Sequence, residues 1–591
     1  MEEDFQVSGT NDNALFTLKL HRGDGMTLIA MNWKNDEPPT DFVGFGIEYK
    51  EPEGIKFFAL KNRLAFLNTD DSIDPNRLST LRSPIQKFRW VHFPRNAELP
   101  GEFTYRITPV FMNTSDELSF GESQMASIQL RRETYPGLLN VTFTRGFVSS
   151  QAFVNRYGED SIPLLLPPNA DSGLNFVPTH PKSDEALAWM GFEARNAILE
   201  VLDKAIEDDE AEVRVVAYDL SEPGIVSRLE KIGSRLKVII DDSGTHGDED
   251  SGETQATNRL IQSAGEDNVR RQHMGGLQHN KTIVVDGTTE KVAVCGSTNF
   301  SWRGFFVQSN NAIILKGQNA IKPFLAAFDE YWDNSNSASA FGTSPSSEWV
   351  NLNIQNINAE VSFSPHSDDN ALLKSIADDI EENTTSSLFY SLAFLFQTPG
   401  VMQNAILKVS KAEDIFVYGI SDKEVGGIDL QDPDGNVSPV FPAALTGANV
   451  PEPFKSEPAG GGGNRMHHKF LVVDFDKPTA RVYMGSYNFS IAADDKNGEN
   501  LLLIKDQRIA VSYMIEAVRL FDHYHFRVIQ KKAQEANKRL FLQKPPQEND
   551  EKPWWSEDYT HPRKIRDRVY IPMMIPPFSD DGIPPIRGTN K

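Results

Sequence analysis

The chain of 591 residues carries 83 acidic against 59 basic side chains, a formal charge of −24, with 39% hydrophobic residues and one cysteine. A single hydrophobic core does not serve that length, so several domains are expected. The acidic balance excludes a protein that coats DNA or an anionic membrane by bulk charge. A phosphate-bearing substrate must therefore meet a local positive patch.

Cys295 alone excludes an intrachain disulfide framework and fits a reducing compartment; within an apolar run it reads as a small buried hydrophobe. No stretch reaches the roughly 18 apolar residues of a membrane-spanning helix. The start "MEEDFQVSGTNDN" lacks the basic and apolar regions of a secretory signal. A soluble, cytoplasmic protein is expected, with export by a signal-independent route left open.

Residues 1–135 read as a β-sandwich. Short alternating or aromatic runs ("ALFTLKL", "MTLIAMNWK", "FVGFGIEYK", "FRWVHFP", "EFTYRITPVFM", "MASIQL") are punctuated by Pro, Gly, Asn and Asp. From about 138 the period changes. Asp184 to Asp209 is apolar at helical spacing, then "EVRVVAYDL", "EPGIVSRLEKIGS", "RLKVIIDD", "NNAIIL" and "IKPFLAAFDEYWDN" alternate strand and helix, the pattern of an α/β layer over 138–335. A small-residue linker lies around 336–350 (Ser335 to Glu348). The α/β order then recurs over 351–540, from "NAEVSFSP" to the long helix beginning at Tyr513. The rest, 541–591, is rich in Pro and paired aromatics and predicts an irregular tail, wrapped on the surface or partly disordered.

Two stretches carry the chemistry. "LQHNKTIVVDGTTEKVAVCGSTNFS" (Leu277 to Ser301) and "MHHKFLVVDFDKPTARVYMGSYNFS" (Met466 to Ser490) superpose motif by motif. His279-x-Lys281 falls on His467-x-Lys469, Asp286 on Asp474, and Gly-Ser-x-Asn follows in both, with Ser297 and Asn299 matching Ser486 and Asn488. One His-x-Lys is ordinarily a solvated strand end. Zinc binding lacks its usual company of Cys pairs or a His-Glu-x-x-His helix. Two copies in the same internal order point to duplicated structure with a purpose. On a strand, residues two apart share a face, so His467 rather than His468 belongs to the site, and His468 packs. Two lysines and two amides suit an oxyanion with spread charge, and two histidines suit attack and proton delivery on a phosphorus.

The doubled His-x-Lys-x-x-x-x-Asp with Gly-Ser-x-Asn resembles the signature of the phospholipase D superfamily, over about residues 140 to 540. That resemblance implies two α/β repeats sharing one active site, chemistry through a phosphohistidine, and no metal or cofactor. It makes His279 and His467 the catalytic pair and gives Lys281, Lys469, Asn299 and Asn488 the phosphate. Ser297 and Ser486 accompany them at the substrate, and Asp286 and Asp474 support local structure. Eleven residues beyond each motif asparagine stand Asn310 and Glu499, where the family often places a group that hydrogen-bonds the histidine. Pairing each with the histidine of its own copy gives Glu499 to His467 as a protonated acid, and leaves His279 the neutral nucleophile.

"GSxNFS" with "NxEN" (Asn497 to Asn500) is similar to the bacterial nuclease branch, so a nucleic-acid substrate is placed slightly ahead of a phospholipid. "NVRRQHMGG", Arg303 and Arg465 would supply a basic rim, and Gly460 to Gly463 a mobile loop at the pocket mouth. A non-catalytic phosphate binder is the third reading. The N-terminal sandwich, with Trp90 and the corner candidate Tyr105, resembles a fibronectin type III domain and offers a surface for a protein partner.

Overall fold

The computed structural model describes residues 5–67, 78–130, 133–146, 161–421, 466–537 and 540–572, apart from a few single or paired positions, with scattered residues of 153–158. Arg465 and Gly460 to Gly463 lie outside the described residues.

The N-terminal strands form two sheets. One orders Gln6–Ser8, Phe16–Arg22, Thr27–Trp33 and Arg89–His92; the other is built on Phe42–Lys50 against Glu102–Met112. Along Phe16–Arg22 only Thr17 is exposed; the apolar Phe16, Leu18 and Leu20 enter the sandwich core, and the remaining side chains on the other face are covered as well. Trp90 is only partly buried, and Trp33 is the strand tryptophan that fills the core. Tyr105 is fully buried, but its hydroxyl meets the His92 ring at 3.0 Å.

The continuous apolar runs form two seven-stranded sheets. The first orders Leu139–Phe143, Asn311–Lys316, Lys291–Gly296, Lys281–Asp286, Glu212–Ala217, Leu236–Ile240 and Val269–Arg271. The second orders Val350–Asn351, Asn358–Ser364, Glu499–Lys505, Arg481–Gly485, Lys469–Val473, Ser387–Leu392 and Phe416–Ile420. Six consecutive strands correspond between them, and each sheet gains one edge strand of its own. Both faces of such sheets must be covered, because their strands are apolar on both sides. Helices Ser183–Glu207, Pro223–Ile232 and Gly252–Ala264 cover the outside of the first, and Leu373–Asn383 with Val401–Lys411 the outside of the second. The inner faces share one core with helices Gln318–Asn334 and Gln507–Glu535. Cys295 lies buried in that core, as its apolar setting predicted.

The linker expectation is corrected, and of the two readings of the tail the packed one holds for its described part. The small-residue linker is packed: Ala338–Phe341 is a short helix, and the buried Phe341 ring stacks on Tyr331 at 4.0 Å. The described part of the tail is folded onto the rest. Trp555 enters the sandwich core, Trp554 Nε1 donates to Phe42 O at 3.0 Å, and helices Ser556–Thr560 and Pro562–Tyr570 follow. Paired aromatics without a period were a docking signal, since their partners lie far away in sequence.

Candidate active site

Each motif histidine stands two residues before the lysine that opens a strand, Lys281–Asp286 or Lys469–Val473. The motif glycines are needed where those strands meet their neighbours. Gly296 (φ 141°) and Gly485 (φ 152°) approach so closely that a Cβ would lie 2.5 Å from Asn311 O and 2.2 Å from Asn500 O.

The two sheets are stitched together beside the histidines. Gln278 pairs with Gly498, and Ser309 with Met466, as isolated parallel bridges. Each bridge sets the approach to one motif strand against the segment following the other motif. The side chains cross accordingly. His279 Nδ1 lies 2.7 Å from Glu499 Oε2, and His467 Nδ1 lies 2.8 Å from Asn310 Oδ1. Their neighbours cross too: Asn500 Nδ2 donates to Asn280 Oδ1 at 2.8 Å, and Asn311 meets His468 at 3.4 Å. The pairing of Glu499 with His467 is therefore corrected. The carboxylate backs His279 and the amide backs His467, because the partner strand comes from the other half.

The ring centroids of His279 and His467 lie 6.5 Å apart, edge to face, close enough for one phosphorus to lie between them. Lys469 Nζ lies 3.0 Å from His467 Nε2 and donates to His467 O, as Lys281 Nζ does to His279 O. Burial lowers Lys281 to about 8 and drives Lys469 well below its ordinary value, with the two ammonium groups repelling each other. Burial and the same lysines push both histidines down. Burial raises Glu499 to about 7, and the lysines oppose it. Such a pocket is short of negative charge at its centre.

Asn299 and Asn488 each leave a buried Oδ1 unpartnered among the described residues, the same atom in both copies. Since the two edges of an amide are exchanged by a flip, each carboxamide has one edge to offer a ligand. Ser297 and Ser486, expected at the substrate, face inward and accept the N–H of Asn311 and Asn500 at 3.0 Å. Asn310 is likewise fully buried; its Nδ2 donates to Gly304 O at 2.8 Å, which fixes Oδ1 toward His467. Asp474 supports its turn, accepting from Thr385 N, Ser386 N and the Thr385 hydroxyl at 2.9, 2.8 and 2.7 Å. Asp286 only pairs with Lys291; the matching turn in the first half is held by Asp208, which accepts Thr288 N and Thr289 N. His468 is buried against Glu516 at 2.9 Å, the packing role expected of it.

Sequence reasoning missed the walls. Tyr218 lies 4.7 Å from the His279 ring and Phe394 5.9 Å from the His467 ring, and each receives its motif lysine over its face. Tyr218 is the first residue and Phe394 the second after the strand paired with the motif strand, so strand order would have exposed them. The expected basic rim is thinner than the sequence suggested. Arg270 stacks on Trp332 at 4.0 Å, and Arg271 donates to Asp241 O and His246 O at 2.9 and 2.6 Å.

Asp219, His246 and Glu253 bring ligand-type atoms within 4.8 Å of one another beside Tyr218. Burial opposes charge on His246, but hydrogen bonding to Asp241 at 2.8 Å and the fields of Asp219 and Glu253 raise it to about 9. An imidazolium at His246 would thus stand among the carboxylates of Asp219, Asp241 and Glu253.

A family model described as the cardiolipin synthase phospholipase D-like domain matches residues 202–332 and 443–520, which include both motifs. Both motif segments are thus similar to a phospholipase D-like domain. A phospholipase D of Rickettsia typhi is 46% identical over 48 residues, 8% of this chain and 22% of that protein. A mitochondrial cardiolipin hydrolase of Xenopus tropicalis is 41% identical over 59 residues, 10% of this chain and 26% of that protein. The superfamily match to these curated relatives thus spans about a quarter of their length. Among solved structures, a phosphatidylserine synthase of Haemophilus influenzae aligns at 14% identity over 59% of this chain and 92% of that one, with a TM-score of 0.39. The phospholipase D family member Nuc of Salmonella typhimurium aligns at 25% identity over 24% of this chain and 88% of that one, with a TM-score of 0.21.

Proposed function

We propose that the two sheets are a duplicated α/β unit related by a pseudo-twofold axis, with a fibronectin type III-like sandwich in front, and that the chain hydrolyses phosphodiesters through a phosphohistidine. The crossed pairs across 6.5 Å carry this reading. With Glu499 ionised, His279 donates Nδ1–H to it and keeps the Nε2 lone pair free. Nε2 attacks phosphorus, and Glu499 compensates the positive charge growing on the ring. As the P–N bond forms, the P–O bond breaks, and the leaving oxygen takes a proton from His467 Nε2, which requires the imidazolium. The negative charge of the bound phosphate offsets the burial and lysine fields that push this ring down. Asn310 Oδ1 accepts from His467 Nδ1–H, so Nε2 is the nitrogen that gains and gives up the exchangeable proton. Water then attacks phosphorus, passing a proton to His467 Nε2, and the P–N bond returns its electron pair to His279. Lys281, Lys469, Asn299 and Asn488 hold the phosphoryl oxygens throughout. His279 remains the proposed nucleophile, for the reason opposite to the one the sequence suggested.

For substrate, the internal engagement of Arg270 and Arg271 takes two arginines from the basic rim that a nucleic-acid path would use. We place a phospholipid first and nucleic acid second; the similarity to proteins called phospholipase D and cardiolipin hydrolase runs the same way. Rapid quench followed by mass spectrometry tests the mechanism: an acid-labile phosphate is expected on the peptide carrying His279, and its appearance on that carrying His467 refutes the assignment. Release of phosphatidate from vesicles, set against nucleolysis at low salt, tests the substrate.

A further inference from the structure

The two halves of the pocket are not alike. In the first half, Ala217 pairs with Lys281 and Tyr218 N donates to Asn280 O at 3.1 Å. In the second, Leu392 pairs with Lys469 and Ala393 N donates to His468 O at 3.0 Å. Counting from these pairs, Tyr218-Asp219-Leu220 falls on Ala393-Phe394-Leu395. Both leucines are buried, so the substitution that matters is a carboxylate for a phenyl ring.

Asp219 keeps 19% of its side chain exposed. One oxygen lies 3.5 Å from His246 Nε2, and the other accepts from the Ser301 hydroxyl at 3.1 Å. A carboxylate has about four acceptor positions, so roughly two remain for a donor from outside. Asp219 follows Tyr218, whose ring lies 4.7 Å from His279, and its counterpart Phe394 lies 5.9 Å from His467, which places it at the rim of the phosphate position; its field reaches both motif lysines. Behind it stand Glu253 and the buried Asp241, with His246 as the opposing charge.

We infer that Asp219 reads a hydrogen-bond donor, an ammonium or hydroxyl, on one ester arm of the substrate, while Phe394 presents an apolar wall to the other arm. The inference rests on the phosphodiesterase reading and deepens it. A phospholipid headgroup alcohol supplies such an arm beside a single phosphate. A polynucleotide brings further phosphates along the chain, and these would be set against an acidic wall.

Binding to the full-length protein tests this without turnover. Titration calorimetry at pH 7.5 compares phosphoethanolamine and glycerol 3-phosphate with ethyl phosphate, inorganic phosphate serving as reference. Both donor-bearing monoesters should bind about tenfold to a hundredfold more tightly than ethyl phosphate, the range for a hydrogen bond to a charged group. Glycerol 3-phosphate, which has no cationic group, separates donation from general attraction to an acidic chain. In Asp219→Asn the preference should collapse toward unity, whereas in Phe394→Ala it should persist. Equal affinities in the wild type overturn the inference, and so does a preference that survives Asp219→Asn. Tighter binding of a short oligothymidylate than of phosphoethanolamine overturns the choice of headgroup. Should Asp219→Asn not fold, the wild-type ratios decide. Absence of any phosphodiester turnover would instead refute the underlying reading.

Discussion

Replacing Glu499 by glutamine isolates the carboxylate that backs His279. The carboxamide oxygen of the new side chain would still accept from His279 Nδ1, so ring orientation and tautomer survive while the charge is lost. The hydrogen bond is 2.7 Å and both partners are buried. A full charge forming on the ring about 4 Å from the carboxylate is worth roughly 4 kcal/mol at an effective dielectric of about 20. Half of that, about 2 kcal/mol, corresponds to a half-formed P–N bond. The variant should therefore lose about 30-fold to 1000-fold in the rate of phosphoenzyme formation. Single-turnover release of nitrophenolate from a nitrophenyl phosphodiester measures this step, since that leaving group needs no proton.

The pH dependence gives the same variant a second signature. Glu499 is raised to about 7 by burial. Below that pH its proton is donated to Nδ1, which moves the ring proton to Nε2 and blocks attack. The kcat/KM of the wild type should fall below about pH 7, and that limb should vanish in Glu499→Gln. The stability effect has a definite sign. A carboxyl raised above its ordinary 4.5 in the folded state favours folding at low pH, and the benefit is lost as pH rises through about 7. Glu499→Gln should thus gain stability relative to wild type above pH 7 while losing activity. A variant within threefold of wild type, or one keeping the acidic limb, refutes the reasoning.

Inorganic phosphate should bind with uptake of about one proton at pH 8, because it restores charge to Lys281, held at about 8, and to Lys469, held lower; calorimetry in buffers of different ionisation enthalpy reads this. Asn310→Asp should raise the pKa of His467 and move the basic limb of kcat upward, which the pH–rate profile reports. Asp474→Ala should cost about 2–4 kcal/mol in urea unfolding through lost acceptors for buried donors, whereas Asp286→Ala should stay within about 0.5 kcal/mol.

The motif residues were legible because each does a job its residue type limits. Gly296 and Gly485 admit no side chain, and His279, His467, Lys281 and Lys469 sit at spacings that strand geometry turns to one face. The strand runs were legible for the same reason, as their apolar period needs no distant partner. What stayed hidden depends on contacts between segments far apart. Glu499 and His279 are separated by 220 residues, and nothing local distinguishes that pairing from one with His467. The docked Trp555 and the stacked Phe341 failed to announce themselves for the same cause: their partners belong to other domains or other helices.

The crossing itself has a consequence for how the two halves depend on each other. Were each histidine oriented by its own half, a half could hold a correctly set imidazole alone, and the second would add only the opposing group. Here neither half positions its own histidine. His279 takes its orientation from Glu499, and His467 from Asn310, each across the junction. The backbone bridges at Gln278 with Gly498 and Ser309 with Met466 set those distances, and a Cβ at Gly498 would lie 2.2 Å from Gln278 Oε1. Gly498→Ala should therefore spread the junction and disturb His279 more than His467, since Gly498 precedes Glu499 directly. The expected result is a loss of phosphoenzyme formation at His279 larger than the loss of global stability explains, with phosphate binding retained through the lysines. Thermal unfolding, single-turnover kinetics and phosphate titration on the same preparation measure all three. Loss of phosphate binding in step with activity would mean that the bridge holds the whole pocket rather than the histidine, and the argument for crossed orientation would fail.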